Sequence, residues 1–511
     1  MILPEGQQLR GAALEGDAPL EVDVCVVGSG AGGAVSAARL AARGQRVLIL
    51  EAGPSRTRAD FDMHEATAYP ALYQDQAGRA THDQAVTLLQ GRGVGGGTTI
   101  NWTTCFRTPP ALLKLWAGRE GVEGLSPELL APHFEAVEAR LNIAPWPVER
   151  ANPNNDVLWR GAQALGWSAA STRRNVRGCM NTGYCGLGCP VDAKQGMHLT
   201  YLADALAQGA TLLSETEVVR VVTQGRRVIE LEALAAQPGA APRRLRVRPK
   251  LTVLAGGAIN TPALLLRSEL NGNDQVGRRT FLHPVSAVAG VYEGYIEPYY
   301  GAPQSIYSHH FIERGPDKVG FFFEAAPLHP VLGATALGGD PQTHQALLER
   351  LPHISALIAL AVDGLLPGDR GGRITLRRDG RIKIDYPLTP PILEALTAGM
   401  QRLCEIHLAA GALEARPLTH ALQPVRGPAD IEALAALAQA PARFPVFSAH
   451  QMGGACMGED PSRSVVNSRL RHHTLDNLYI IDGSVLPTAL GVNPSETLYG
   501  LAHWAAGALP L

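Results

Sequence analysis

One stretch constrains the fold more than any other: residues 22–53, VDVCVVGSGAGGAVSAARLAARGQRVLILEAG. It opens with a short apolar run rich in β-branched residues, which reads as a buried strand. Gly28-Ser29-Gly30-Ala31-Gly32-Gly33 follows, then an alanine-rich helical segment ending at Gly44. A second apolar strand from Val47 to Leu50 closes in Glu51. Strand, glycine loop, helix, strand and acid in this order form a βαβ unit suited to a dinucleotide. Gly28 permits the tight turn, Gly30 lets the backbone approach a pyrophosphate, and Gly33 lets helix and strand pack closely. The helix N-terminus at Ala31 then faces the phosphates. Glu51 stands 18 residues after Gly33, where a carboxylate accepts hydrogen bonds from ribose hydroxyls. A glycine-rich turn between packed elements would leave that acid unexplained.

A chain of 511 residues exceeds a single core, so two or three domains or one two-lobed enzyme is expected. With 46% hydrophobic and 18% charged residues, it buries enough apolar surface to fold as a globule. A formal net charge of −2 argues against nucleic-acid binding, which needs a basic excess. The local run Arg243-Arg244-Leu245-Arg246-Val247-Arg248 alternates charge with apolar residues and reads as a half-exposed strand. Seven cysteines are too sparse for a disulfide scaffold. The first residues show no basic region followed by a long apolar stretch, so no signal peptide is expected. No apolar run is long enough for a transmembrane helix. A cytoplasmic location is the default expectation, and peripheral membrane association is compatible with it.

Two further segments repeat the backbone-approach pattern. GRGVGGGTTINW, Gly91 to Trp102, has five glycines in its first seven residues. Val94, Ile100 and Trp102 punctuate it with packing residues, so it is a loop held close to something flat rather than a flexible linker. LYIIDGSVLPTALGVNPSETLYGLAHWAAG repeats the strand–acid–glycine–helix order with Asp482 and Gly483. Three such sites, distant in sequence, suit a ligand longer than one pyrophosphate. A flavin dinucleotide fits better than NAD.

Four segments together resemble the glucose–methanol–choline (GMC) oxidoreductases, flavoproteins that oxidise alcohols. They are the N-terminal glycine loop, GRGVGGGTTINW, GGAINTPALLLRSE (Gly256 to Glu269) and the stretch from Ser448 to the C-terminus. The third departs at Glu269, where a glycine is usual. SAHQMG, GVNPSETL, INWTTCFRTP and CMNTGYCGLGCPVDAKQGMHLTYLADAL resemble the long-chain alcohol oxidase and dehydrogenase branch. The sterol oxidases share the His-x-x-Gly-Gly pattern of His450, Gly453 and Gly454. The long-chain branch usually carries cysteine and arginine where this chain has Ala455 and Cys456.

The resemblance implies an α/β fold: an FAD-binding, Rossmann-like lobe with an α+β substrate lobe built on a mostly antiparallel sheet. The expected division is FAD-binding for 1–130, 196–285 and 446–511, a cap segment for 131–195 and a substrate domain for 286–445. It implies FAD contacts at Gly28, Gly30, Ala31, Gly33, Glu51, Gly93, Gly96, Thr98, Asn101, Trp102, Val218, Asp482, Gly483 and Pro494. It also implies a catalytic pair, His450 and Asn493. Removing a hydride from an alcohol carbon requires that the hydroxyl lose its proton. Neutral histidine suits the base, and an asparagine amide suits the orienting role. The partners implied are an alcohol substrate, of which a hydrophobic primary alcohol leads, and oxygen or another electron acceptor.

Several features have plainer readings. His450 beside Cys456 invites a metal reading, but no further ligands accompany the pair, and no metal site is expected. His472-His473 is read as exposed surface. Cys179-x5-Cys185-x3-Cys189-Pro lacks the usual C-x2-C ligand run. It is read as a structural turn or buried thiols, with an iron–sulfur cluster as the alternative. GRITLRRDGRIKIDYPLT alternates on both sides of Asp379-Gly380 and predicts a hairpin. SAVAGVYEGYI and KVGFFFEAAPL read as strands of the antiparallel sheet. HQALLERLPHISALIALAVDGLLPG, residues 344–368, reads as an apolar core helix, with a lipid-facing or substrate-facing cap as the alternative.

Overall fold

The computed structural model describes residues 5–14, 16, 18–420, 423–439 and 444–510. The strands Leu20–Val27 and Val47–Leu50 pair in parallel around the helix Ala31–Ala41, as the opening stretch predicts. They sit in an eight-stranded mixed sheet assembled from segments far apart in sequence. Thr211–Ser214 pairs in parallel beside Val47–Leu50. On the other side, Arg243–Leu254 runs parallel to Leu20–Val27, and its end also pairs with Leu478–Ile480. The first part of Arg243–Leu254 instead pairs antiparallel with Arg227–Ala235, which continues to Thr216–Gln224. The change of partner explains the sequence pattern. Arg244, Arg246 and Arg248 are exposed where one face meets water, and Leu251 to Leu254 are buried where both faces are covered.

A second eight-stranded sheet is antiparallel apart from one parallel pair at its edge, Val86–Leu88 with Val446–Ser448. Its centre is Val285–Val291, Ile354–Ala361 and Phe321–Ala325, joined in register. The long helix Pro390–Ala409 covers one face. Ser286 donates to the Leu396 carbonyl at 3.0 Å, and a Cβ added at Gly399 would lie 2.6 Å from the Ala359 side chain. The expected strands within SAVAGVYEGYI and KVGFFFEAAPL are present, and Gly372–Leu376 and Ile382–Asp385 form the expected hairpin.

Two expectations fail. Residues 344–368 do not form one helix: the helix Pro341–Glu349 stops, and Ile354–Ala361 is a central strand. Every residue of that strand is buried. A strand covered on both faces loses its polar alternation and resembles a buried helix in sequence. His472-His473 is not exposed surface. The segment folds back against Leu478, so His472 is 6% exposed with Nδ1 meeting the Thr474 hydroxyl, and His473 Nε2 meets Ser464 Oγ at 2.8 Å. Glu269 keeps the turn without the usual glycine, at a left-handed φ of 60°.

Candidate active site

A cavity of about 860 Å³ is lined by residues of both large sheets. The mixed sheet contributes Val27, Leu50 and Val218; the antiparallel sheet contributes Val285, Ile358, Leu360 and Phe447. The volume suits a large organic ligand.

At one end the glycine loop closes as the opening stretch demands. Gly28 has φ +103°, and a Cβ there would lie 2.3 Å from the Ala255 carbonyl oxygen. Its N–H bonds the Leu50 carbonyl at 2.8 Å, which ties the turn to the second strand. Gly30 caps the helix and leaves open space beside it, the nearest atom to an added Cβ being Gly96 Cα at 3.7 Å. The first and second glycine loops therefore meet here. The Glu51 carboxylate accepts from Ser29 N–H, Ser29 Oγ and Gly53 N–H. Burial raises its pKa, and those three bonds counter the rise. A carboxylate has about four lone-pair sites, so one remains. Asn101 Oδ1 is buried without a partner on the same wall. An open helix N-terminus, two close-approaching backbones and spare acceptors fit a dinucleotide.

Of the sequence-expected contacts, Gly28, Gly30, Ala31, Glu51, Gly96, Thr98, Asn101, Trp102, Val218, Asp482, Gly483 and Pro494 line this cavity. Gly33 and Gly93 lie behind the wall. Gly33 packs under Gly28, whose carbonyl oxygen an added Cβ would reach at 2.0 Å, and Gly93 backs onto Gly53. The Asp482 carboxylate is occupied by its own chain: Ser484 N–H and Oγ bond one oxygen, Gly257 N–H and Thr261 Oγ1 the other. It joins two cavity loops, and only its position borders the cavity.

At the other end stand His450 and Asn493. His450 lies between the strands Val446–Ser448 and Gln451–Gly453, held by Ser448 Oγ, which accepts from its N–H at 3.3 Å. The turn after it needs glycine: Gly453 has φ +75°, and an added Cβ would lie 1.9 Å from the Arg279 carbonyl oxygen. Asn493 ends the loop before the helix Ser495–Ala508. Its Nδ2 lies 3.4 Å from His450 Nε2, and its Oδ1 is buried without a partner. The His450 ring is half-buried on the cavity wall, and the protein around it lowers its pKa to about 4. It is therefore neutral at pH 7.

Sequence reasoning missed the residues behind this pair. His283 Nδ1 lies 2.9 Å from His450 Nδ1, and Gly491 N–H donates to His283 Nε2 at 3.2 Å. Glu324 is fully buried and reaches Asn493, while Gln304 donates to it and accepts from Thr104 Oγ1 at 3.0 Å. His283, Gln304 and Glu324 sit in no glycine-rich motif, so no local signal marks them.

Lys194 is also buried. Its ammonium donates to the Thr99, Asn101 and Cys185 carbonyls at 2.5, 3.1 and 2.7 Å, linking the second glycine loop to the cysteine segment. Burial lowers its pKa to about 8. Cys179, Cys185 and Cys189 border one small cavity with Lys194, and all are free thiols. Among the described residues no group of three His, Cys, Asp or Glu is arranged to hold a metal ion. Among the described residues no helix is long and apolar enough to cross a membrane.

A sequence model described as GMC oxidoreductase matches residues 30–285 with its N-terminal part and 367–502 with its C-terminal part. An uncharacterised GMC-type oxidoreductase of Mycobacterium tuberculosis is 31% identical over 96% of this chain and 76% of its own. A long-chain-alcohol oxidase of Arabidopsis thaliana is 31% identical over 95% of this chain and 68% of its own. Among solved structures, a formate oxidase of Aspergillus oryzae superposes with a TM-score of 0.72 at 15% identity, covering 96% of this chain and 98% of its own. Pyridoxine 4-oxidase from Mesorbium loti superposes with 0.67 at 19%, covering 95% and 98%. At these identities the two structures show the fold.

Proposed function

The chain belongs to the GMC oxidoreductases, FAD-dependent enzymes acting on CH–OH groups, and from that premise we propose that it oxidises a hydrophobic primary alcohol to its aldehyde, with His450 as base. The observation that carries this reading is the His450–Asn493 pair, side by side on the wall of the cavity that the nucleotide loops also border. The apolar character of the substrate rests on the roof above, Val285, Ile358, Leu360 and Phe447. The similarity to a long-chain-alcohol oxidase supports the same substrate class.

FAD, when bound, supplies the acceptor for the hydride. The chain supplies the rest. The alcohol oxygen enters between His450 and Asn493, accepting from the Asn493 NH₂ group and donating its proton toward His450 Nε2. The hydride and its two electrons leave from carbon, the proton passes to Nε2, and the carbonyl forms. The neutral state of His450 keeps a lone pair available at pH 7. That lone pair must lie on Nε2, so the bridging proton between the rings must ride on His450 Nδ1. The Gly491 N–H favours the opposite arrangement, because it asks for a lone pair on His283 Nε2. The 2.9 Å bond between the rings survives in either arrangement, whereas the Asn493 Nδ2 group, 3.4 Å from His450 Nε2, favours a lone pair there and opposes the Gly491 preference.

Purified protein carrying FAD should be yellow and should bleach when such an alcohol is added without oxygen, and His450→Ala should lose the bleaching. A colourless protein, or one that no alcohol reduces, sinks this reading. The second reading is a dehydrogenase that passes electrons to a quinone or cytochrome. It turns on Cys179, Cys185 and Cys189, which border one small cavity beside Lys194 but, among the described residues, are not arranged to hold a metal ion. Iron and sulfide analysis of the protein decides it.

A further inference from the structure

Behind the proposed catalytic pair lies a carboxyl that the chemistry above does not use. Glu324 stands on the strand Phe321–Ala325 with no exposed surface. Opposite it in the neighbouring strands are Tyr307 and Ile358. Gln304 donates to one of its oxygens, and Thr104 in turn holds Gln304. Gln304 and Thr104 line the cavity with Asn493, so the chain of bonds runs from the cavity wall into the core.

The hydrogen-bond inventory of this network does not close. Glu324 Oε1 and Asn493 Oδ1 are both buried acceptors without a partner. Yet the Asn493 side chain is close enough to act on the Glu324 carboxyl. Two leftover acceptors in one network lack a proton between them. Placing it on Glu324 satisfies both, because the acid O–H can donate to the amide carbonyl. We propose that Glu324 is a positioning residue: as a neutral acid it donates to the Asn493 side-chain carbonyl, and so turns the amide NH₂ toward His450 Nε2 and the alcohol oxygen.

An ionised Glu324 would instead accept from the amide. The carbonyl of Asn493 would then face the oxygen lone pairs and repel the negative charge that develops there. Burial supports the neutral form, raising the Glu324 pKa to about 8 against the opposing bonds of Asn493 and Gln304. Among the described residues no charged side chain acts on it.

The inference rests on the proposed alcohol oxidation, and two measurements separate their fates. The first is anaerobic flavin reduction by an alcohol, followed in the FAD-loaded protein between about pH 5 and 10. The wild-type rate should fall above about pH 8, as the donor is lost. Glu324→Gln offers a donor at every pH. It should keep the pH 7 rate within about fivefold and lose the falling limb. Glu324→Ala should reduce the rate about 10- to 100-fold, the usual cost of an unsatisfied buried group expressed as a barrier. A falling limb retained in Glu324→Gln, or an unimpaired Glu324→Ala, overturns the proposal.

The second measurement needs no turnover: melting temperatures of the wild type and Glu324→Gln across the same range. A carboxyl raised in the folded state contributes stability at low pH that is lost as pH rises through its folded value. The wild type should therefore weaken relative to Glu324→Gln up to about pH 8. A difference that is flat with pH overturns the placement of the proton. If no alcohol reduces the flavin, the functional reading falls, while the melting comparison still decides the state of Glu324.

Discussion

Two nitrogens 2.9 Å apart, His283 Nδ1 and His450 Nδ1, shape the His450 end of the cavity. The His283 ring is fully buried and lies edge-on to His450, with Phe322 on another side. It holds the His450 ring from behind and leaves Nε2 toward the cavity. His283→Ala strands His450 Nδ1 in the protein. Such an orphan costs about 1–3 kcal/mol, and the same loss in the transition state means about a 10- to 100-fold slower reduction. Stopped-flow bleaching of the FAD-loaded variant should show this slowing with the flavin spectrum intact; an unchanged rate would remove His283 from the site. His450 was legible in sequence because glycines and a motif surround it. His283 was not, because a buried histidine outside any such motif leaves no pattern.

At the scale of the element, the strand Ile354–Ala361 carries two functions on its two faces. Ile358 and Leu360 line the cavity, while Leu357, Ala359 and Ala361 belong to the core that includes Leu396 and Met400 of the helix Pro390–Ala409. Alternation of side chains separates the two sets. Leu357→Ala should therefore cost about 2–5 kcal/mol of stability by opening a cavity in that core, with alcohol preference unchanged. On the proposed alcohol oxidation, Leu360→Ala should widen the cavity and shift preference toward bulkier alcohols. Denaturation midpoints and an alcohol panel read the two outcomes; a change of preference in Leu357→Ala would contradict the assignment of faces. The strand was misread as helix because its eight residues are all buried and only Ser355 among them is polar. A period of two is visible only when one face meets water. The hairpin at Asp379-Gly380 was legible for the opposite reason, since polar and apolar residues alternate on both its strands.

For the whole molecule, burial of ionisable groups sets the response to acid. His309, His329, His407 and His450 each have a pKa lowered to about 4, with burial the leading cause. A base lowered in the folded state leaves the unfolded chain binding more protons below pH 6.5. Stability should therefore fall as pH drops from about 6.5 toward 4. Urea midpoints at about pH 7, 6 and 5 should decline in that order, and the decline should shrink in a His407→Gln variant, far from the proposed chemistry. Before any folding, the sequence determined the βαβ nucleotide unit, the glycine loops, the fold class and the position of His450, because each is written in contiguous residues with a local physical requirement. The family resemblance already paired His450 with Asn493; only the tertiary structure decided that His283 meets His450, that Glu324 lies buried next to Asn493, and that the Asp482 carboxylate is taken up by neighbouring loops of its own chain. Those partners come from strands and loops separated by up to hundreds of residues, and a hydrogen bond between such groups exists only once the sheets have packed.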